Sequence, residues 1–205
     1  MSDVENFADT FSDLIVAGNI EGVAKAIQSR SGINLDLQKN SQGEPMLSVA
    51  IKSGKIDIVK MLTEKNYDGK TLNMMCSIGG RDDENKTALM EACDYGNDSM
   101  LRQVPGRKDN RDNITRLLLE RANESDITNV DANGLTPMMY ACRSGNVAAV
   151  ENMLDRLTKL GKSQEDIVAY LNQENRYGHT AVDLIYIGDR SDVEKLLKDR
   201  GYHDV

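Results

Sequence analysis

Tryptophan is absent from this sequence, phenylalanine and histidine occur twice each, and proline and cysteine three times each. Each shortage closes a class. With aromatics at 4% of the chain, a core has to be built from Leu, Ile, Val, Met and Ala. Three prolines and dispersed glycines exclude collagen-like and proline-rich chains. Three cysteines, odd in number and not closely spaced, make no disulfide framework. The histidines, His179 and His203, belong to no H-x-x-x-H or Cys/His ligand set, so no metal or other cofactor is expected. No apolar run approaches the ~18 residues of a membrane span. The opening Met1-Ser2-Asp3-Val4-Glu5 is acidic where a secretory leader is basic and then apolar. A cytoplasmic protein without leader or membrane segment is the expectation.

What is present is ordinary for a folded chain of 205 residues: 40% hydrophobic and 28% charged, too apolar for intrinsic disorder. The net charge of −8 argues against a mainly phosphate-binding surface, and so against nucleic acid as the partner.

Internal repetition then decides the fold. Four stretches run in parallel: Gly43 to Gly54, Asn85 to Gly96, Gly134 to Gly145 and Gly178 to Asp189. Each reads as a turn residue, a short polar lead-in, a helix of about two turns and a glycine-type stop. A second amphipathic helix follows each, at Ile56 to Leu62, Ile114 to Leu119, Val147 to Leu154 and Val193 to Leu197. Ala50, Ala92 and Ala141 share one position, where a small side chain lets neighbouring helices approach to about 8–10 Å. Helices this short are marginal alone and must bury a face against neighbours.

These residues resemble the ankyrin repeat, G-x-T-P-L-H-x-A-A-x-x-G followed by a second helix. The third stretch carries Gly134, Thr136, Pro137, Met138, Ala141 and Gly145; the second carries Thr87, Leu89, Ala92 and Gly96. The fourth, Thr180-Ala181-Val182-Asp183-Leu184, is similar to a last repeat, and the first has Pro45 in place of Thr. Phe11, Leu14, Ile15 and Gly18, then Val23 and Ile27, are similar to a capping half-repeat. The resemblance implies an all-α solenoid of about five helix-turn-helix units joined by hairpin-like fingers. It reads as a single domain over 1–205, with units near 7–36, 37–79, 80–128, 129–173 and 174–205.

The spacing departs from the family. Gly18, Gly54, Gly96, Gly145 and Asp189 follow at intervals of 36, 42, 49 and 44 residues, against about 33 in an ankyrin unit. One insertion lies between Gly96 and Ile114; with the helix after it, residues 102–121 hold six Lys/Arg against three acids. That segment reads as a solvated loop, with docking of an acidic protein partner second and nucleic acid a distant third. Another follows Leu154, where Ser163-Gln164-Glu165-Asp166 is similar to a capping box and predicts a helix from Gln164 to Leu171. A third, around Tyr67 to Asn85, lengthens a finger and ends in Asp82-Asp83-Glu84.

Catalytic chemistry finds little support. Cys93 and Cys142 fall at one repeat position, but helices about 8–10 Å apart exceed the ~7 Å Cα limit of a disulfide, so buried packing is expected. Cys76 is a lone thiol in the long finger, without a neighbouring His. Gly69-Lys70-Thr71 and Gly161-Lys162-Ser163 look like the end of a phosphate loop, yet Glu64 and Arg156 stand where its first glycine belongs.

The resemblance spans Phe7 to Leu197 and implies a non-catalytic module that binds another protein through finger tips and the concave side of each first helix. Carried onto this chain, that face is Gln42, Glu44, Lys52 and Ser53; Glu84, Lys86, Asp94 and Tyr95; Asn133, Leu135, Arg143 and Ser144; then Tyr177 and His179. Tyr95, Tyr177 and Leu135 are its expected anchors. An adaptor is the leading function. A stoichiometric inhibitor or an effector acting in a host cytosol is the alternative, and a thiol enzyme using Cys76 the remote one.

Overall fold

The computed structural model describes residues 3–29, 35, 38–64, 66–67, 70–71, 81–94 and 107–202, with backbone alone at 3–6, 66–67, 70–71 and 107–109. The chain divides into two compact units, Met1–Ala88 and Leu89–Val205.

The first unit is built from two helix pairs. Helices α1 (Asp3–Ala17) and α2 (Ile20–Ser29) form one, α3 (Met46–Lys52) and α4 (Ile56–Thr63) the other. α1 packs on α3 and α2 on α4, so like stacks on like. The seam is aliphatic apart from stacked Phe7 and Phe11, whose rings lie 5.3 Å apart. Ile15, Val23, Ala50, Ile51, Val59 and Leu62 are fully enclosed. Ala50, the small residue of the shared repeat position, is among them. After α4 comes an antiparallel hairpin of β1 (Asn66–Tyr67) and β2 (Lys70–Thr71).

The second unit holds α5 (Ala88–Cys93, whose first residue belongs to the other unit), α6 (Arg107–Arg121), α7 (Glu124–Thr128), α8 (Pro137–Ser144), α9 (Val147–Lys159), α10 (Gln164–Leu171), α11 (Ala181–Ile187) and α12 (Ser191–Asp199). First helices again stack on first helices, α8 on α11, and second on second, α6 on α9 and α9 on α12. Ala92, Ala141, Met138, Val150, Met153 and Leu118 fill the layers between.

The stops of the first helices share one geometry. The Gly18, Gly54 and Gly145 amides reach back to Ile15, Ile51 and Cys142, and the next amides to Leu14, Ala50 and Ala141. This satisfies the orphan carbonyls of each C-terminus and requires positive φ at the turning residue. Gly96 lies outside the described residues. In the last pair the stop falls at Asp189, the position equivalent to the other glycines, and not at the neighbouring Gly188. Gly188 keeps φ −88°, and Asp189 turns the chain at φ 51°, its amide bonding Tyr186 and the next bonding Ile185.

Two inserted segments differ in how well sequence anticipated them. α10 runs from Gln164 to Leu171 as expected, and the Ser163 hydroxyl and Asp166 carboxylate exchange bonds with each other's amides at 3.1 and 3.0 Å. α6, expected from Ile114, begins two turns earlier at Arg107, so part of the basic insertion is helical. Buried Thr115 fixes it there, its hydroxyl donating to Ala92 at 3.1 Å and Arg111 at 2.9 Å. α7 was not anticipated, although Asn123 and Asp126 form a reciprocal cap of the same kind.

Candidate protein-interaction face

Four fingers precede the first helices, and a single side chain organises each. Asn40 accepts the amides of Gln42 (3.1 Å) and Glu44 (2.9 Å); Asp82 those of Glu84 (2.9 Å) and Lys86 (2.8 Å). Asp131 accepts those of Asn133 and Leu135, both at 2.8 Å, and Asn175 those of Tyr177 (2.8 Å) and His179 (3.1 Å). Asn and Asp favour turns because their side chains can satisfy amides two or more residues on. The residue three places on has positive φ in every finger: Gly43, Asn85, Gly134 and Gly178. A backbone bond closes each loop, from Asn40 to Glu44, Asp82 to Lys86, Asp131 to Leu135 and Asn175 to His179.

These four organising residues were missed by sequence reasoning. A signal existed, since Asn40, Asp82, Asp131 and Asn175 recur at the same 42, 49 and 44 residues that separate the helix stops. Eight of the fourteen expected face residues prove to be the ones whose amides they hold. The acidic run Asp82-Asp83-Glu84 is thus part of a turn, and Asp83 reaches across to the Lys39 ammonium of the preceding finger.

Neighbouring fingers also touch in the second unit. The Arg176 amide donates to the Asn133 carbonyl at 3.0 Å, and the Tyr177 hydroxyl to the Asn133 side chain at 3.3 Å. A Cβ on Gly134 would stand 3.1 Å from the Arg176 nitrogen, so this approach suits glycine.

Exposure sorts the expected face residues. Gln42, Glu84 and Tyr177 are exposed; Glu44, Lys52, Ser53, Lys86, Asp94, Asn133, Arg143 and His179 are half-buried. Tyr95 lies outside the described residues. Leu135 and Ser144 correct the expectation of an exposed face. Leu135 is only 7% exposed, its amide held by Asp131 at 2.8 Å. Ser144 is 2% exposed and donates to the Cys93 and Ala141 carbonyls at 2.9 and 3.1 Å.

Charges on the face are mostly matched. Arg143 pairs with Asp94 at 3.1 Å, and its guanidinium lies 4.7 Å from the centre of the Tyr140 ring. The Tyr140 hydroxyl donates to the second Asp131 oxygen at 2.8 Å. Burial, then the Asp131 bond, pushes the Tyr140 phenol well above its ordinary value. In the first unit Lys52 pairs with Glu44 at 2.7 Å. Burial raises the Glu44 carboxyl, but Lys52 and Asn40 outweigh it and hold the group below its ordinary value.

Cys93 and Cys142 are buried, and burial pushes the Cys142 thiol up to about 12, where almost no thiolate forms at neutral pH. Cys76 and His203 lie outside the described residues. Lys162 pairs with Glu124 and Ser163 caps α10, so the second phosphate-loop fragment forms no cradle; Gly69 of the first lies outside the described residues. Among the described residues no group of three or more His, Cys, Asp or Glu is placed to hold a metal ion. No described helix is long and apolar enough to cross a membrane.

Comparison with known proteins agrees with this geometry. A family model described as ankyrin repeats (3 copies) matches residues 14–104 and 107–204. No curated protein matches the chain.

Proposed function

Since the chain belongs to the ankyrin-repeat family, whose repeats are protein-interaction modules, we propose that it is a non-catalytic adaptor. It holds a partner protein against its finger tips and the adjoining side of its first helices. One observation carries this reading: Tyr177 is 68% exposed on a finger whose backbone is fixed by Asn175. A large aromatic with a polar tip, held rigid before binding, is the residue type that anchors protein interfaces at little entropic cost. Asp94 and Arg143 of the same unit, already paired with each other, supply the polar rim that such interfaces carry.

The test compares proteins retained by the immobilised chain with those retained by a Tyr177→Ala, His179→Ala variant. Variant and parent are first matched by circular dichroism. A protein captured by the parent and lost by the variant supports the adaptor reading. Equal recovery, or turnover of a small substrate by the purified chain, overturns it.

A further inference from the structure

The first unit contains a cleft of about 260 Å³ between α1, the first finger and α3. Its volume is below the ~300–1,000 Å³ of clefts that enclose small-molecule ligands, and suits one long side chain. The walls differ in chemistry. Asp9 and Asp13 of α1 line one side and Glu44 of the finger the other, with Lys52 beside it. Lys52 is paired with Glu44, and Asp9 accepts the Ser41 amide at 2.7 Å. Among the described residues no cation lies within ion-pair distance of Asp9 or Asp13, so the cleft keeps an excess of negative charge.

Two further observations point to what fills it. Val16, also on the cleft wall, is 56% exposed, whereas Ala8, Phe11 and Ile15 of the same helix are buried. Ser12 is more than nine-tenths buried and lines the cleft; its hydroxyl accepts from Asn40 at 3.4 Å, and among the described residues its own proton has no acceptor. The carboxylates do not converge on a point that could hold a metal ion. An ammonium or guanidinium on a methylene stem matches all of this: the stem lies on Val16 and the head meets Asp9 and Asp13. The Ser12 donor is left for a backbone carbonyl of the same segment.

We infer that this cleft receives a lysine or arginine side chain from an extended basic segment of the partner protein. The inference rests on the protein-binding reading above and deepens it by naming the partner's chemistry.

The experiment measures fluorescence anisotropy of a short labelled peptide with a central arginine-lysine pair, titrated with the full chain. Asp9→Asn with Asp13→Asn should weaken binding about tenfold; an amide oxygen at position 9 still accepts the Ser41 amide, so the finger stays in place. Val16→Lys, at an exposed position, should abolish binding by filling the cleft with its own ammonium. Glu174→Gln with Asp192→Asn removes the same charge from exposed sites of the other unit and should leave binding unchanged. Undiminished binding by the cleft variants, an equal loss in the distal control, or no binding of the basic peptide overturns the inference. The adaptor reading fails by a different result, undiminished capture by the Tyr177→Ala, His179→Ala variant.

Discussion

Replacing Tyr140 by phenylalanine isolates one hydrogen bond at the centre of the third finger. The hydroxyl donates to Asp131 at 2.8 Å, and both residues are buried. Phenylalanine refills the ring volume, so no cavity opens; what disappears is the donor to a buried carboxylate oxygen. The other Asp131 oxygen already holds two amides and cannot turn away without releasing them. Hydrogen bonds to charged groups are worth about 1.5–3 kcal/mol, so a loss near 2 kcal/mol is expected. For a chain of this size that lowers the melting midpoint by about 4–8 °C. A second signature follows from the raised phenol. Above pH 10, the ordinary value, the unfolded chain releases this proton while the native chain keeps it. The native state then binds more protons, and the parent loses stability as pH rises, by up to ~1.4 kcal/mol per pH unit. The variant has no such proton, so its deficit should shrink above pH 10. Urea denaturation followed by circular dichroism at pH 7 and at several alkaline pH values reads both effects. Tyr186→Phe is the control, since that exposed hydroxyl only touches Glu194 at 3.3 Å. Tyr140→Phe costing no more than the control, or a deficit that stays constant with pH, refutes the reasoning.

Three other outcomes are expected. Gly145→Ala, at φ 72° with its Cβ only 2.7 Å from the Arg190 side chain, should cost at least the ~1–2 kcal/mol of a left-handed alanine. Gly161→Ala, at φ 83° in open space, should cost no more than that, and thermal melts compare them. Lys52→Met should destabilise at neutral pH, where the lowered Glu44 carboxyl is ionised; the gap to the parent should close as pH falls from about 4.5 through the lowered value, in urea titrations at stepped pH. Cys93 and Cys142 should resist alkylation at pH 8 in the native chain and react in urea, with digestion and mass spectrometry locating the label.

Patterns that close within one helical turn were legible in the sequence. The glycine stops at 18, 54 and 145 and the Ser163–Asp166 cap each involve neighbours a few residues apart, and each has its expected structure. α7 was as local, but at five residues it carries too little apolar periodicity to register as a helix. The start of α6 was hidden for a related reason: Arg107 to Asn113 contains no apolar residue, and burial of Arg111 and Thr115 comes from packing that no local pattern encodes. Asp189 shows a turn geometry outlasting its usual residue, because a short polar side chain tolerates positive φ better than most.

The finger residues were legible in position but not in role, and their chemistry explains the choice of side chain at two of them. All four must present one oxygen to two amides, which Asp and Asn do equally well, so the second atom of the group decides. At position 40 that atom faces acceptors: the Asn40 amide donates to Glu44 at 3.0 Å and Ser12 at 3.4 Å. An aspartate there would set a carboxylate against Glu44. At position 131 the second atom faces the Tyr140 hydroxyl, which donates to it; an asparagine would oppose one donor with another unless that hydroxyl turned. Asp131 is itself a buried carboxylate. Two amides and a phenol replace the water its charge would otherwise need, and the negative group becomes the fixed point around which the third finger is folded.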